Sequence, residues 1–512
     1  MRPAGLFFLA LLASAACSSA GVEEAEAHRA RPNVVLFLVD DLGWQDVSHP
    51  LHTERTPFND RYHTPHLERL AARGTTFTNA YAAAPVCTPT RTSLMTGQWP
   101  ARTHITYWTL WKDRDQSAAF PGVRAPAWNV NGLQEDDVTL ARLLQEDGYR
   151  TIHVGKAHFG AVGTSGADPT RLGFDVNVAG HGPGGPPSYY GTHDFTVAKR
   201  DGPGGVEEPS VWDVPGLEAY HGTDTYLTEA LTTEAKKHVR AAVADGRPFF
   251  LNFAPYAVHA PLLANERYLS RYEGLDAREA AYATMIETVD VALGELVALL
   301  EELDVTENTI VVFTSDNGGL SAHARGGEKH THNAPLRSGK GSAYEGGIRV
   351  PQVVAWPGVT DGLRRNARTE RPVVTHDLFP TILRWAGVEP PPTHPVDGRD
   401  LTPLLLGREA RSERALFWHQ PHYWGVAGPG IEPFTAVRRG PWKLIFRHRD
   451  RGFELYDLDA DLGERRDLAS REPERVARLA RELGLWMHTV GAQSSIDEAT
   501  GAPLDTPDAY VP

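Results

Sequence analysis

The sequence predicts an α/β fold: a central, mostly parallel sheet flanked by helices, followed by a smaller C-terminal α+β subdomain with an antiparallel sheet. Three observations lead there. Residues 33–39 and 309–314 are continuous apolar, β-branched runs, the pattern of strands buried on both faces. Helical periodicity recurs between such runs, which is the signature of a sheet covered by helices on both sides. Past Pro390–Pro395 the pattern changes, and short alternating segments replace the long buried ones.

Taken in order, the strand at 33–39 runs straight into Asp40-Asp41, and the strand at 309–314 runs into Ser315-Asp316-Asn317. Residues 248–253 and 151–154 are shorter strands of the same kind. Helical patterns cover 66–73, 138–146, 226–243 and 280–303. Two segments rich in Gly and Pro, 180–191 and 202–216, read as surface loops or insertions. In the C-terminal part, 442–446 and 453–458 read as paired strands joined by a charged turn, and 472–486 as a helix. The expected organisation is a signal segment at 1–20, a main body at 30–390 and a subdomain at 391–512.

Composition narrows the function. A net charge of −14 argues against a nucleic-acid binder, because no excess of Lys and Arg exists to neutralise phosphates. A small anion is still accommodated by a few well-placed cations in a cleft. Arg2 followed by the apolar stretch 6–16 reads as an export signal, too short to span a bilayer. Ala13-Ser14-Ala15 suits ordinary cleavage. Lipid attachment at Cys17 is the alternative, so the chain is expected to be periplasmic, secreted or lipid-anchored. Only two cysteines are present, Cys17 and Cys87, which leaves the body without a disulfide framework. A lone body cysteine is either a small buried residue or a reactive one.

Several short motifs carry chemistry. Cys87-Thr-Pro-Thr-Arg91 is followed, after a four-residue gap, by Thr96-Gly97. Asp40, Asp41, Asp316 and Asn317 are hard oxygen donors at the carboxyl ends of two strands, where open α/β sheets gather their ligands. Such donors suit Ca²⁺, or Mg²⁺ as second choice, rather than zinc. Gly155-Lys156-Ala157-His158-Phe159-Gly160, Tyr256-Ala-Val-His259-Ala-Pro261 and Asn333-Ala-Pro-Leu-Arg337-Ser-Gly-Lys340 with Tyr344-Glu-Gly-Gly-Ile-Arg349-Val-Pro351 add Lys and His residues at fixed spacing.

Together these motifs, spread over about residues 32–469, resemble the type I, formylglycine-dependent sulfatases of the alkaline-phosphatase superfamily. The resemblance implies an alkaline-phosphatase-like sandwich. It also implies that Cys87 is oxidised to formylglycine by a separate maturation enzyme. Asp40, Asp41, Asp316, Asn317 and residue 87 would hold the cation, and Arg91, Lys156 and Lys340 would neutralise the sulfuryl oxygens. His259, with Lys340, would assist the departing alcohol. His158 would take a proton from the second hydroxyl of the hydrated aldehyde, which then expels sulfate. Ala157 and Phe159 depart from the Trp and Leu usual in that family. Arg337 and Arg349 read as structural. His181, Tyr189, Tyr190, Trp108, His332 and His422-Tyr-Trp424 are candidates to line a sugar pocket, and a sulfated carbohydrate is the expected substrate. Two rivals stand beside this reading: a phosphonate monoester or phosphodiester hydrolase on the same scaffold, and a non-catalytic glycan-binding surface protein.

Overall fold

The computed structural model describes residues 31–200, 210–320, 333–408 and 413–511. The export signal, Cys17, His332 and residues 202–209 lie outside the described residues.

The main sheet has eight strands. In chain order these are β1 (Asn33–Val39), β2 (Thr75–Phe77), β3 (Arg150–Gly155), β4 (Val176–Val178), β5 (Phe249–Ala254), β6 (Thr309–Ser315), β7 (Gln352–Ala355) and β8 (Ala367–Thr369). Their order across the sheet is β8-β2-β7-β6-β1-β5-β3-β4. Only β7 runs against its neighbours. The two long runs seen in sequence, β1 and β6, lie side by side and parallel, with Val39 opposite Ser315. That pairing brings Asp40-Asp41 and Asp316-Asn317 together at one sheet edge.

Alternation along β1 explains its unbroken hydrophobicity. Val35, Phe37 and Val39 face one core, and Val34, Leu36 and Leu38 the other. The first core is closed by α1 (Pro65–Ala72), α4 (Leu227–Ala244) and α5 (Ala277–Glu302). The second is closed by α2 (Cys87–Thr96), α3 (Leu140–Glu146) and α6 (Leu378–Ala386). At about 25 cal/mol per Å² of apolar surface removed from water, these two layers are the main source of stability.

The C-terminal sheet is antiparallel, β9 (Ala415–Gln420), β10 (Phe434–Arg439), β11 (Trp442–Arg447) and β12 (Phe453–Asp457) in sequential order. Helix α7 (Pro473–Val490) packs on it, with Trp486 stacked on Phe417 at 4.7 Å. Its core includes Tyr81, Trp99, Ala343 and Ile348, so the small sheet packs in one hydrophobic layer with segments from earlier in the chain.

One expectation fails here. Segment 180–191 is not a surface loop: most of it is buried, including Gly182, Gly185, Ser188 and Tyr189. Gly and Pro mark exposed turns, but they are also what a chain needs when its backbone lies tight against other groups. This segment uses them for the second purpose.

Candidate active site

Helix α2 begins at Cys87, and all ten of its residues are buried. Its hydroxyl residues survive burial by bonding back along the helix: Thr92 Oγ1 donates to Thr88 O and Thr96 Oγ1 to Thr92 O, both at 2.9 Å. Gly97 ends the helix in a left-handed conformation (φ 70°), where a Cβ would lie 2.5 Å from Phe379. The Thr-Gly at the end of the cysteine motif is therefore a helix stop. The positive end of the helix dipole falls at Cys87.

Around Cys87 three carboxylates are paired with three cations, all deeply buried. Lys156 Nζ reaches both oxygens of Asp40 at 2.9 and 2.8 Å. Lys340 Nζ reaches both oxygens of Asp41 at 2.7 and 2.9 Å, and Cys87 Sγ at 3.3 Å. Arg91 Nε donates to Asp316 Oδ2 at 2.8 Å, and its Nη1 to Lys156 O at 2.9 Å. The chain reaches Lys156 through Gly155 (φ 104°), where any Cβ would strike the Ala254 carbonyl group. Asp41 (φ 60°) and His158 (φ 53°) also hold left-handed backbones. For such residues this is a strained state of the kind that clusters at functional sites.

Electrostatics follow from this crowding. Burial pushes Asp40 up to about 8 against the pull of Lys156, with Asp316 and Asp41 adding repulsion. Burial also opposes ionisation of Asp41, but Lys340 and His259 outweigh it, and Asp41 stays below the ordinary carboxylate range. Burial raises the Cys87 thiol to about 12, so as a cysteine it is a poor nucleophile. Lys340 is held above the usual lysine value, since Asp41, Cys87 and Asp40 outweigh burial.

A cation fits this donor set. Ligand atoms of Asp40, Asp41, Asp316 and Cys87 lie within 4.8 Å of one another. Asn317 Nδ2 donates to Asp41 Oδ1 at 2.7 Å, while its Oδ1 is buried without a hydrogen-bond donor. An unpartnered amide oxygen on a residue bonded to a carboxylate cluster is what a hard cation would satisfy. Three acidic groups face three side-chain cations, so a divalent ion would leave the floor positive, as an incoming anion requires.

The floor opens into a pocket of about 220 Å³. Cys87, Lys340, His158 and His259 form its base. Val86, Trp108, Trp212, Trp424, Gly184 and Gly185 form its walls. His158 Nε2 lies 2.9 Å from the Thr109 carbonyl, so Nε2 carries the proton and the buried, unpartnered Nδ1 keeps a lone pair. His259 Nδ1 lies 2.7 Å from the Ala260 carbonyl and donates to it, leaving Nε2 3.9 Å from Asp41 Oδ2. Burial first, then Lys340, lowers His259 to about 3. Burial, then Lys156, lowers His158 well below its ordinary value.

All ten residues singled out in sequence therefore meet at one place. The aromatic candidates divide. Trp108 and Trp424 line the pocket, whereas Tyr189, Tyr190, His181 and His422 do not. Tyr189 donates to Tyr256 O and His259 O at 2.8 Å each, and Tyr190 to Ala264 O at 2.9 Å. His181 bonds the Tyr256 hydroxyl, and His422 sits between Thr106 and Ser117 against the Tyr107 ring. Each is engaged inside the fold, although His181 Nε2 is buried without a partner. Arg337 donates to Glu464 O and Arg349 to Thr78 O, away from Cys87. Phe159 packs on His153 and Phe174, so the departure from Leu there is absorbed in the core. Trp212, Gly184 and Gly185 escaped the sequence reading; the paired glycines flanked by prolines were the available signal.

A mixed sheet with this buried acid–base cluster at its strand ends is the alkaline-phosphatase arrangement, and comparisons agree. Residues 32–388 match the family described as Sulfatase. Residues 339–488 match the N-sulphoglucosamine sulphohydrolase C-terminal family. The chain is 32% identical to N-acetylgalactosamine-6-sulfatase of Canis lupus familiaris, over 84% of this chain and 74% of that one. It is 28% identical to a sulfatase of Formosa agariphila, over 91% and 90%. Among solved structures, Ps i-CgsB superposes with a TM-score of 0.71 at 27% identity, covering 89% of this chain and 93% of that one. A phosphonate monoester hydrolase from Silicibacter pomeroyi shares the fold at a TM-score of 0.60 and 19% identity, over 91% and 96%. The chain belongs to the sulfatase family of the alkaline-phosphatase superfamily and is a sulfuric ester hydrolase.

Proposed function

We propose that this enzyme removes sulfate from a sulfated carbohydrate, using formylglycine formed from Cys87 and one bound Ca²⁺, with Mg²⁺ as the second choice. The observation that carries the reading is the meeting of Cys87 with Asp40, Asp41 and Asp316, bracketed by Arg91, Lys156 and Lys340 at the base of a pocket. A hydrated aldehyde at residue 87 supplies two hydroxyls on one carbon, one to attack sulfur and one to expel sulfate afterwards. A cation held by Asp40, Asp41, Asp316 and Asn317 supplies positive charge to the sulfuryl oxygens and favours an ionised hydroxyl.

The chain's own side chains do the rest. Arg91 and Lys156, fixed by Asp316 and Asp40, place positive charge at the base without having to reorganise during reaction. Lys340, kept charged beside Cys87, carries the proton that a departing alkoxide needs. His259 shares that edge, its Nε2 3.9 Å from Asp41 Oδ2, and assists Lys340 at the departing alcohol. His158, with its lone pair on Nδ1, is the base for the second hydroxyl. The substrate class draws support from relatives: N-acetylgalactosamine-6-sulfatase is named for a sulfated sugar, and Ps i-CgsB was also solved with k-i-k-neocarrahexaose. The apolar stretch 6–16, read as an export signal, supports a site of action outside the cytoplasm. None of the described helices is long and apolar enough to cross a membrane.

The test is sulfate release from a panel of monosulfated sugars, with matching phosphate esters beside them. Protein made together with a formylglycine-generating enzyme should favour the sulfate esters, and protein made without it should turn over poorly. Faster hydrolysis of phosphonate monoesters or phosphodiesters would shift the assignment to the rival chemistry.

A further inference from the structure

The pocket walls say more than the base does. Trp108, Trp212 and Trp424 come from three separate segments, one after α2, one in the Gly/Pro-rich stretch and one after β9. Gly184 and Gly185 complete the lining beside His158 and His259. A Cβ at Gly184 would lie 2.6 Å from His158 Nδ1, and one at Gly185 would lie 2.8 Å from His259 Nδ1.

Trp424 is held in advance. Its ring packs against Gly341 (φ 83°), where a Cβ would lie 2.6 Å from Trp424 Cε3, and Lys340 Nζ sits 5.7 Å from its ring centre. The enclosed volume, about 220 Å³, falls below the roughly 300–1,000 Å³ of clefts that take drug-sized ligands. It suits one ring rather than a chain segment. Among the described lining residues, the ionisable groups are Cys87, His158, His259 and Lys340, all on the base, and Lys340 is already engaged by Asp41. Among the described residues the walls therefore offer indole rings, the unpartnered Trp108 Nε1 and backbone, with no cation for a second anionic group. A carboxylate or extra sulfate on the ring would lose water and gain no opposite charge from these wall residues.

Resting on the sulfatase reading above, we propose that Trp108, Trp212 and Trp424 form a specificity wall that admits a single, uncharged sugar ring bearing one sulfate. The indoles stack on the ring faces, as aromatic side chains do with flat apolar surfaces. Rings carrying a carboxylate or a second sulfate are rejected at the wall. The three residues act on binding of the leaving group and not on the reacting sulfur.

The experiment uses matured enzyme with a methyl galactopyranoside monosulfate, its disulfate and a monosulfated uronate glycoside. The expected result is a kcat/KM at least ten-fold higher for the neutral monosulfate. Trp212→Ala and Trp424→Ala should each raise its KM about ten-fold with little change in kcat. Trp424→Phe should recover most of the loss. Inhibition by inorganic sulfate, which touches only the base, should not change in the Trp variants. Equal turnover of the charged rings, or KM values within two-fold of wild type in both Ala variants, would overturn the proposal. Failure of the sulfatase reading looks different: no ester is hydrolysed although residue 87 is modified. In that case the wall is judged by indole fluorescence quenching with the desulfated methyl galactopyranoside. Quenching that is lost in Trp424→Ala supports the wall, and absence of quenching in the wild type overturns it.

Discussion

Replacing Gly184 with Ala should cripple catalysis while leaving the protein folded. The backbone at Gly184 is not left-handed, so Ala meets no conformational penalty there. The new Cβ would lie 2.6 Å from His158 Nδ1, whereas ordinary van der Waals contact begins near 3.4 Å. The imidazole must then move by about 1 Å, a displacement that alone can cost on the order of 100-fold in rate. It cannot move freely, because its Nε2 is tied to the Thr109 carbonyl at 2.9 Å. The clash should cost about 1–3 kcal/mol of stability, a limited fall in melting temperature. Steady-state kinetics of matured Gly184→Ala, beside a thermal melt, measure both. A variant with wild-type kcat and an unchanged melt would show that His158 is not held where the reasoning requires.

Other expectations follow from the same contacts. Arg91→Ala leaves Asp316 buried without its 2.8 Å partner and should destabilise the fold by about 3–5 kcal/mol, read by denaturant titration, with activity lost as well. Chelation should abolish activity, and Ca²⁺ should restore it. At a metal concentration 100 times its Kd, the fold should gain about 2.7 kcal/mol, seen as a higher melting temperature. Acid should weaken the fold through buried neutral histidines. Burial lowers His153 and His422 to about 3, and His376 and His419 to about 4. Unfolded, each takes a proton near 6.5, so their contribution is complete above that pH and is lost as pH falls toward 4. Each is worth up to about 1.4 kcal/mol per pH unit in that window. Denaturant midpoints at saturating Ca²⁺ should drop from pH 7 to pH 5; flat or rising midpoints would contradict this.

The long buried strands were readable because burial on both faces leaves an unbroken apolar run, as β1 and β6 show. Their shared parallel register then explains how Asp40-Asp41 and Asp316-Asn317, far apart in sequence, become one cluster. Other parts were hidden for physical reasons. Helix α2 is buried all round and rich in Thr, so no polar face marks its period. Strands β9 and β10 bury Trp418, His419 and Arg438, the last paired with the Tyr81 hydroxyl. Segment 180–191 has the composition of an exposed turn and the position of a wall. The aromatic candidates could not be sorted from sequence because lining a pocket and packing a core ask for the same residues. Only the hydrogen bonds of Tyr189 and His422 separate them from Trp108 and Trp424.

Buried among Asp40, Asp41 and Asp316, the Cys87 thiol is held near 12 and has no ready route to expel sulfate once it has attacked. The most direct test is mass spectrometry of the peptide containing residue 87, taken from preparations of differing specific activity. The account predicts that activity rises in proportion to the aldehyde form and vanishes in Cys87→Ala. A fully active preparation with an intact Cys87 thiol would contradict it.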